Sequence, residues 1–150
     1  MLSRIIFVLF VALSAVFVQA APLATRQIGN LQCNLDRIKI VSDLAQAKKT
    51  TQTLTTQLGS DPAGSQGISA VSDGLSNAQA GIATIAKSLF TGQAAPADAR
   101  QQVADGLTAA GTALASINST DPTVTSNLDK LQTQLTSAGT AGEGVVSNCK

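Results

Sequence analysis

This sequence predicts an all-α fold, an antiparallel four-helix bundle with short loops whose ends are joined by a disulfide. Three observations carry that prediction. From Ile28 onward the apolar residues fall into four successive stretches with helical steps of three and four. No segment alternates with period two, so strands have no support. The stretches are separated by helix-starting punctuation, Asp61-Pro62, Pro96 with Asp98, and Asp121-Pro122, in which an acidic acceptor or a proline opens the next helix.

The first stretch reads Leu31, Leu35, Ile38, Val41 and Leu44 or Ala45, thins from Lys48 to Gln52, and resumes at Leu54 and Leu58. Gly59 then stands where a helix end often needs a left-handed residue. The second reads Ile68, Val71, Leu75, Ala78, Ile82, Ile85 and Leu89 without a miss, and Gly92 closes it. The third is Val103, Leu107, Ala110, Leu114 and Ile117. The fourth is Val124, Leu128, Leu131, Leu135 and Ala138, followed by Gly142, Val145 and Cys149. The second and fourth stretches align with their Asp-Pro pairs in register, which equal helix lengths in a bundle explain better than a duplicated hairpin.

Each helix alone is weak. Gly74, Gly81, Gly106, Gly111, Gly139, Gly142 and Gly144 fall inside helical stretches, each at a cost of roughly 1 kcal/mol relative to alanine. The stripes must therefore pack on one another to persist.

Ahead of these stretches, residues 1–20 read as a secretory signal peptide: Arg4, an apolar run from Ile5 to Val18, and the small-residue cleavage pattern Val18-Gln19-Ala20. Residues 21–30 read as a flexible, pro-like N-terminal segment, with Arg26 either a second processing site or part of an uncut tail. Residues 31–150 then form a single helical-bundle domain of ordinary size. Localisation is predicted to be secreted, with a cell-wall association considered.

Composition excludes several functions. The chain has no histidine, tryptophan or tyrosine, and three of its four phenylalanines lie in the leader. Removing Arg4 with the leader leaves nine basic against nine acidic residues. Without a basic stripe or an aromatic platform, nucleic-acid binding has nothing to use, and Lys48-Lys49 reads as a solvated helix face. A zinc shell cannot be completed from two cysteines, and neither Ser-His-Asp nor Cys-His catalysis is available. Asp36, Asp43, Asp73, Asp98, Asp105, Asp129 and Glu143 mostly fall off the apolar seams and read as solvent-facing. Gly142-Glu143-Gly144-Val145 resembles part of a phosphate loop, but no strand precedes it, and a frayed helix end explains it better. The chain is expected to be no enzyme, and to take no cofactor and no metal.

Cys33 lies near the start of the first helix and Cys149 is the penultimate residue. An up-down-up-down bundle brings both to one end, and in an exported chain such a pair predicts a disulfide. Closing a loop of that length is worth about 4.9 kcal/mol in the loop-entropy model. Asn118-Ser119-Thr120 is an N-glycosylation sequon in the turn before the fourth stretch. Phe90, the one aromatic outside the leader, is expected to pack in the core or on its rim beside Leu89.

With its leader, pro-like stretch and Ala/Thr/Ser/Leu-rich helices, the chain resembles small secreted proteins of filamentous fungi. The runs Ile82-x-x-Ile85-x-x-x-Leu89 and Leu128-x-x-Leu131-x-x-x-Leu135 carry a resemblance to the hydrophobic surface-binding protein A and cell-wall galactomannoprotein family. That resemblance implies adsorption to hydrophobic surfaces or capture of a fatty-acyl ligand between helices.

The leading expectation is thus a surface-active or cell-wall-associated helical protein, with a hydrophobic surface, cell wall or lipid as partner. The alternatives are a lipid-binding bundle and a secreted effector acting on a protein partner. The candidate lipid-facing seam is Ile68, Val71, Leu75, Ile82, Ile85, Leu89, Val103, Leu107, Leu114, Leu128, Leu131 and Leu135.

Overall fold

A computed structural model describes residues 31–149; the signal-peptide and pro-like segments lie outside that range. The described residues form four helices and no strand: α1 (Leu31–Gln57), α2 (Pro62–Phe90), α3 (Ala97–Ala115) and α4 (Pro122–Asn148). The fold class is the one the periodicity predicts.

Helix starts follow the expected chemistry, with one difference. Asp61 accepts a hydrogen bond from the Ala63 amide at 3.1 Å, with Pro62 as the first helical residue. Asp121 accepts from the Thr123 and Val124 amides at 2.7 and 3.2 Å. At α3, Pro96 occupies the cap position itself, without a side-chain cap bond, and Asp98 lies in the first turn, where it complements the helix dipole. Gly92 closes α2 with φ 74°, the one left-handed glycine among the described residues. Gly59 is not left-handed; its turn closes through the Asp61 amide donating to the Leu58 carbonyl at 2.9 Å.

The bundle is built from two tight pairs, α2 with α3 and α1 with α4, which meet each other more sparsely. In the α2·α3 pair, small residues let the backbones approach. A Cβ placed on Gly81 would lie 2.8 Å from the Ala99 carbonyl oxygen and from a Val103 methyl. Glycines that weaken each helix in isolation are thus the contact points of the pair. The core runs through Leu44, Ala47, Leu54, Ile68, Val71, Leu75, Ala110, Leu114, Leu131 and Leu135.

The α1·α4 pair differs from the expectation. Leu31, Leu35, Ile38 and Val41 are exposed, Ile38 by 67 %. The buried line of α1 is instead Cys33, Asp36, Ile40, Asp43, Leu44, Ala47, Thr50, Thr51 and Leu54. Asp36 and Asp43, expected in solvent, are buried because α4 supplies donors. Asp36 accepts from Asn148 Nδ2 and Gln32 Nε2, each at 2.9 Å. Asp43 accepts from Ser137 Oγ at 2.6 Å and Lys39 Nζ at 3.1 Å. The remaining acidic residues named above, Asp73, Asp98, Asp105, Asp129 and Glu143, are exposed as expected.

Gly142 to Val145 is not frayed; α4 continues through it. Gly144 is needed there, because a Cβ would lie 2.6 Å from Asp36 Oδ2. Cys33 and Cys149 are bonded, with a Cα separation of 5.0 Å across 116 positions of sequence. The disulfide joins the start of α1 to the end of α4, as the antiparallel topology requires.

Candidate functional site: an apolar cleft at the disulfide end

Toward the disulfide, a cleft of about 1000 Å³ opens between the two helix pairs. Its walls are Ile40 and Val41 of α1, Ile82, Ile85 and Leu89 of α2, Val103 and Leu107 of α3, and Val145 and Val146 of α4. The loop Gly92–Ala95 and Cys149 complete its lining at the disulfide end. The cleft follows from residue size. At the other end Leu54, Leu58, Ile68, Ile117, Val124 and Leu131 fill the space between the pairs. Toward the disulfide, Ala86, Ala104, Gly139 and Gly142 line the gap instead, and no aromatic ring closes it.

The predicted seam divides at this boundary. Ile82, Ile85, Leu89, Val103 and Leu107 line the cleft. Ile68, Val71, Leu75, Leu114, Leu131 and Leu135 are buried in the closed core, with Leu128 packed against it. Those seven are therefore structural positions and do not face the cleft. Phe90 is neither core nor rim: it is 92 % exposed. Asn118 is exposed in the α3–α4 loop, its Nδ2 donating to the Ser116 carbonyl at 3.5 Å.

Three charged residues border the apolar walls: Arg37, Arg100 and Glu143. Neither arginine stands out from the amino-acid spacing, since each is isolated and off the apolar seams. Among the described residues the one ion pair is Lys39–Asp43, so neither arginine is neutralised by a carboxylate. Arg37 is half-buried and its guanidinium donates to Asn34 Oδ1 at 3.5 Å. The cleft is thus aliphatic along its walls, with two guanidinium groups and the Glu143 carboxylate at its edge. No group of three or more Cys, Asp or Glu residues arranged to hold a metal occurs among the described residues.

Fold and cleft together define a disulfide-closed four-helix bundle with an apolar cavity between its helix pairs. The chain matches no protein-family profile, no curated protein and no solved structure.

Proposed function

We propose that this chain is a secreted, non-enzymatic bundle that holds the apolar tail of a fatty-acyl amphiphile between its helix pairs. The observation that carries the reading is the cleft of about 1000 Å³ lined by aliphatic side chains. That volume stands at the upper end of the roughly 300–1,000 Å³ common for small-molecule sites. The tail would lie against Ile82, Ile85, Leu89, Val103 and Leu107, and a carboxylate head would meet Arg37 or Arg100. Secretion is supported by the leader-like residues 1–20 and by a disulfide of the kind that oxidising compartments favour.

A second reading, adsorption to a hydrophobic surface or cell wall, is favoured by a separate observation. Leu31, Leu35, Ile38, Val41, Phe90 and Val146 are all at least half exposed, and all belong to the cleft-bearing half of the bundle. These side chains could meet an oily surface without the helices separating.

Native mass spectrometry of the secreted, disulfide-intact protein tests the carrier reading. A discrete mass increment of one lipid per chain, removed by organic extraction, is the expected result. Lipid-free protein that also fails to take up fatty acid, yet coats polystyrene, would replace the carrier reading with the adsorption reading.

A further inference from the structure

Helix α1 carries apolar residues on two opposite faces. The inner line through Ile40, Leu44 and Ala47 is buried in the bundle. On the outer side Leu31, Leu35, Ile38 and Val41 are 77, 50, 67 and 52 % exposed, and Ala45 is exposed with them. At 3.6 residues per turn these five side chains fall within an arc of about 120°. That is as wide as the stripe by which a helix packs on a core. Four of the six large apolar residues left exposed among the described residues sit on this one face, so it is a patch and not scatter.

Charge is segregated in the same way. Four cations, Arg37, Lys39, Lys48 and Lys49, lie on α1. Of the nine acidic side chains only Asp36 and Asp43 belong to it, and both are buried with donors from α4. The other seven lie on α2, α3, α4 and their caps, against three cations there among the described residues. Helical geometry places Arg37 and Lys48 along one edge of the apolar arc and Lys39 along the other. Lys49 continues its line about three turns beyond Ile38. The outward face of α1 thus presents aliphatic side chains flanked by cations, and no carboxylate.

We propose that this face of α1 lies on an anionic lipid bilayer. Leu31, Leu35, Ile38 and Val41 sink to the boundary of the acyl chains, and the flanking cations meet the lipid phosphates. The inference deepens the adsorption reading by naming the surface, and it rests on that reading for the exposed side chains. A second copy of the chain fits the face less well, since two such faces would set like charges together. No helix among the described residues is long and apolar enough to cross a membrane, so α1 lies in the plane of the interface.

The test is co-sedimentation of the full secreted, disulfide-intact protein with vesicles of phosphatidylcholine alone and of phosphatidylcholine mixed with phosphatidylglycerol. Binding to the mixed vesicles is expected to be roughly tenfold tighter or more, and to fade at high salt. Lys48→Gln and Lys49→Gln should each weaken it roughly fivefold. Leu35→Ser combined with Ile38→Ser should abolish it at an unchanged melting temperature, because neither residue lines the cleft or the core. No binding, equal binding to both kinds of vesicle, or undiminished binding by the Leu35 and Ile38 variant would overturn the proposal. Coating of polystyrene without preference for anionic vesicles would leave the adsorption reading standing and reject this one. A dimer that ignores the vesicles and is dissolved by Ile38→Ser would give the face to a second copy instead.

Discussion

Gly74 of α2 and Gly106 of α3 touch backbone to backbone. A Cβ placed on Gly74 would lie 2.8 Å from the Gly106 carbonyl oxygen and 2.7 Å from the Ala110 amide nitrogen. One placed on Gly106 would lie 2.6 Å from the Gly74 carbonyl oxygen and from the Ala78 amide nitrogen. Neither clash is with the end of a flexible side chain, so only movement of a whole helix relieves it.

Gly74→Ala and Gly106→Ala should therefore destabilise the bundle despite better helix propensity, by about 1–3 kcal/mol as overpacking does. Gly111→Ala is the control, because a Cβ there meets nothing within 4 Å. It should stabilise by up to roughly 1 kcal/mol. Urea unfolding of the three variants checks both signs.

The second prediction concerns the buried carboxylate between α1 and α4. Asp43→Ala removes the acceptor of Ser137 and the partner of Lys39. Lys39 is half-exposed, so the ion pair itself contributes at most about 1 kcal/mol. The loss of the buried hydrogen bonding raises the total to roughly 1–3 kcal/mol. The Lys39→Ala variant should lose distinctly less, and denaturant midpoints of the two variants decide it.

These two cases mark what was legible in the sequence and what was not. The seam of α2 was readable from Ile68 to Leu89 because every position facing its neighbours is apolar or small. The α1 seam holds at Leu44, Leu54 and Leu58 but fails over the first turns, because the buried line includes Asp36, Asp43, Thr50 and Thr51 while Leu31, Leu35 and Ile38 lie on the opposite side. Periodicity counts apolar residues and cannot see donors arriving from α4, or the Thr51 hydroxyl donating to the Ala47 carbonyl at 2.9 Å. In the sequence Gly74, Gly81 and Gly106 register only as costs, because their benefit depends on a partner helix. Half of the cleft was legible, since Ile82, Ile85, Leu89, Val103 and Leu107 stood out by spacing. Its edge was not: Arg37, Arg100 and the Gly92–Ala95 loop meet only through the tertiary fold.

Reduction of the Cys33–Cys149 bond supplies the third prediction. It releases a cross-link spanning 116 positions, worth up to about 4.9 kcal/mol in the loop-entropy model. Melting followed by circular dichroism should shift markedly downward on reduction. Non-reducing peptide mapping should recover the joined pair, and a melt indifferent to reductant would contradict the staple.

The fourth prediction rests on Asn118, exposed in the loop between α3 and α4. In a glycosylating host, enzymatic removal of N-glycans should lower the mass of the secreted chain. Asn118→Gln should abolish that shift and leave the melting temperature nearly unchanged, because this side chain holds no core contact.

The most direct test of the cleft uses Gly139, which lines it and whose Cβ would meet nothing within 4 Å. Gly139→Leu places an aliphatic side chain into the cleft while improving helix propensity. Fatty-acid titration of disulfide-intact wild type and Gly139→Leu, read by stoichiometry and by melting temperature, is the deciding measurement. The wild type should saturate at a fixed ratio and gain about 2.7 kcal/mol at a hundredfold excess of free ligand over Kd. Gly139→Leu should be at least as stable unliganded and should bind much more weakly. Undiminished saturable binding by Gly139→Leu, or uptake by the wild type that never saturates, would contradict a ligand held in this cleft.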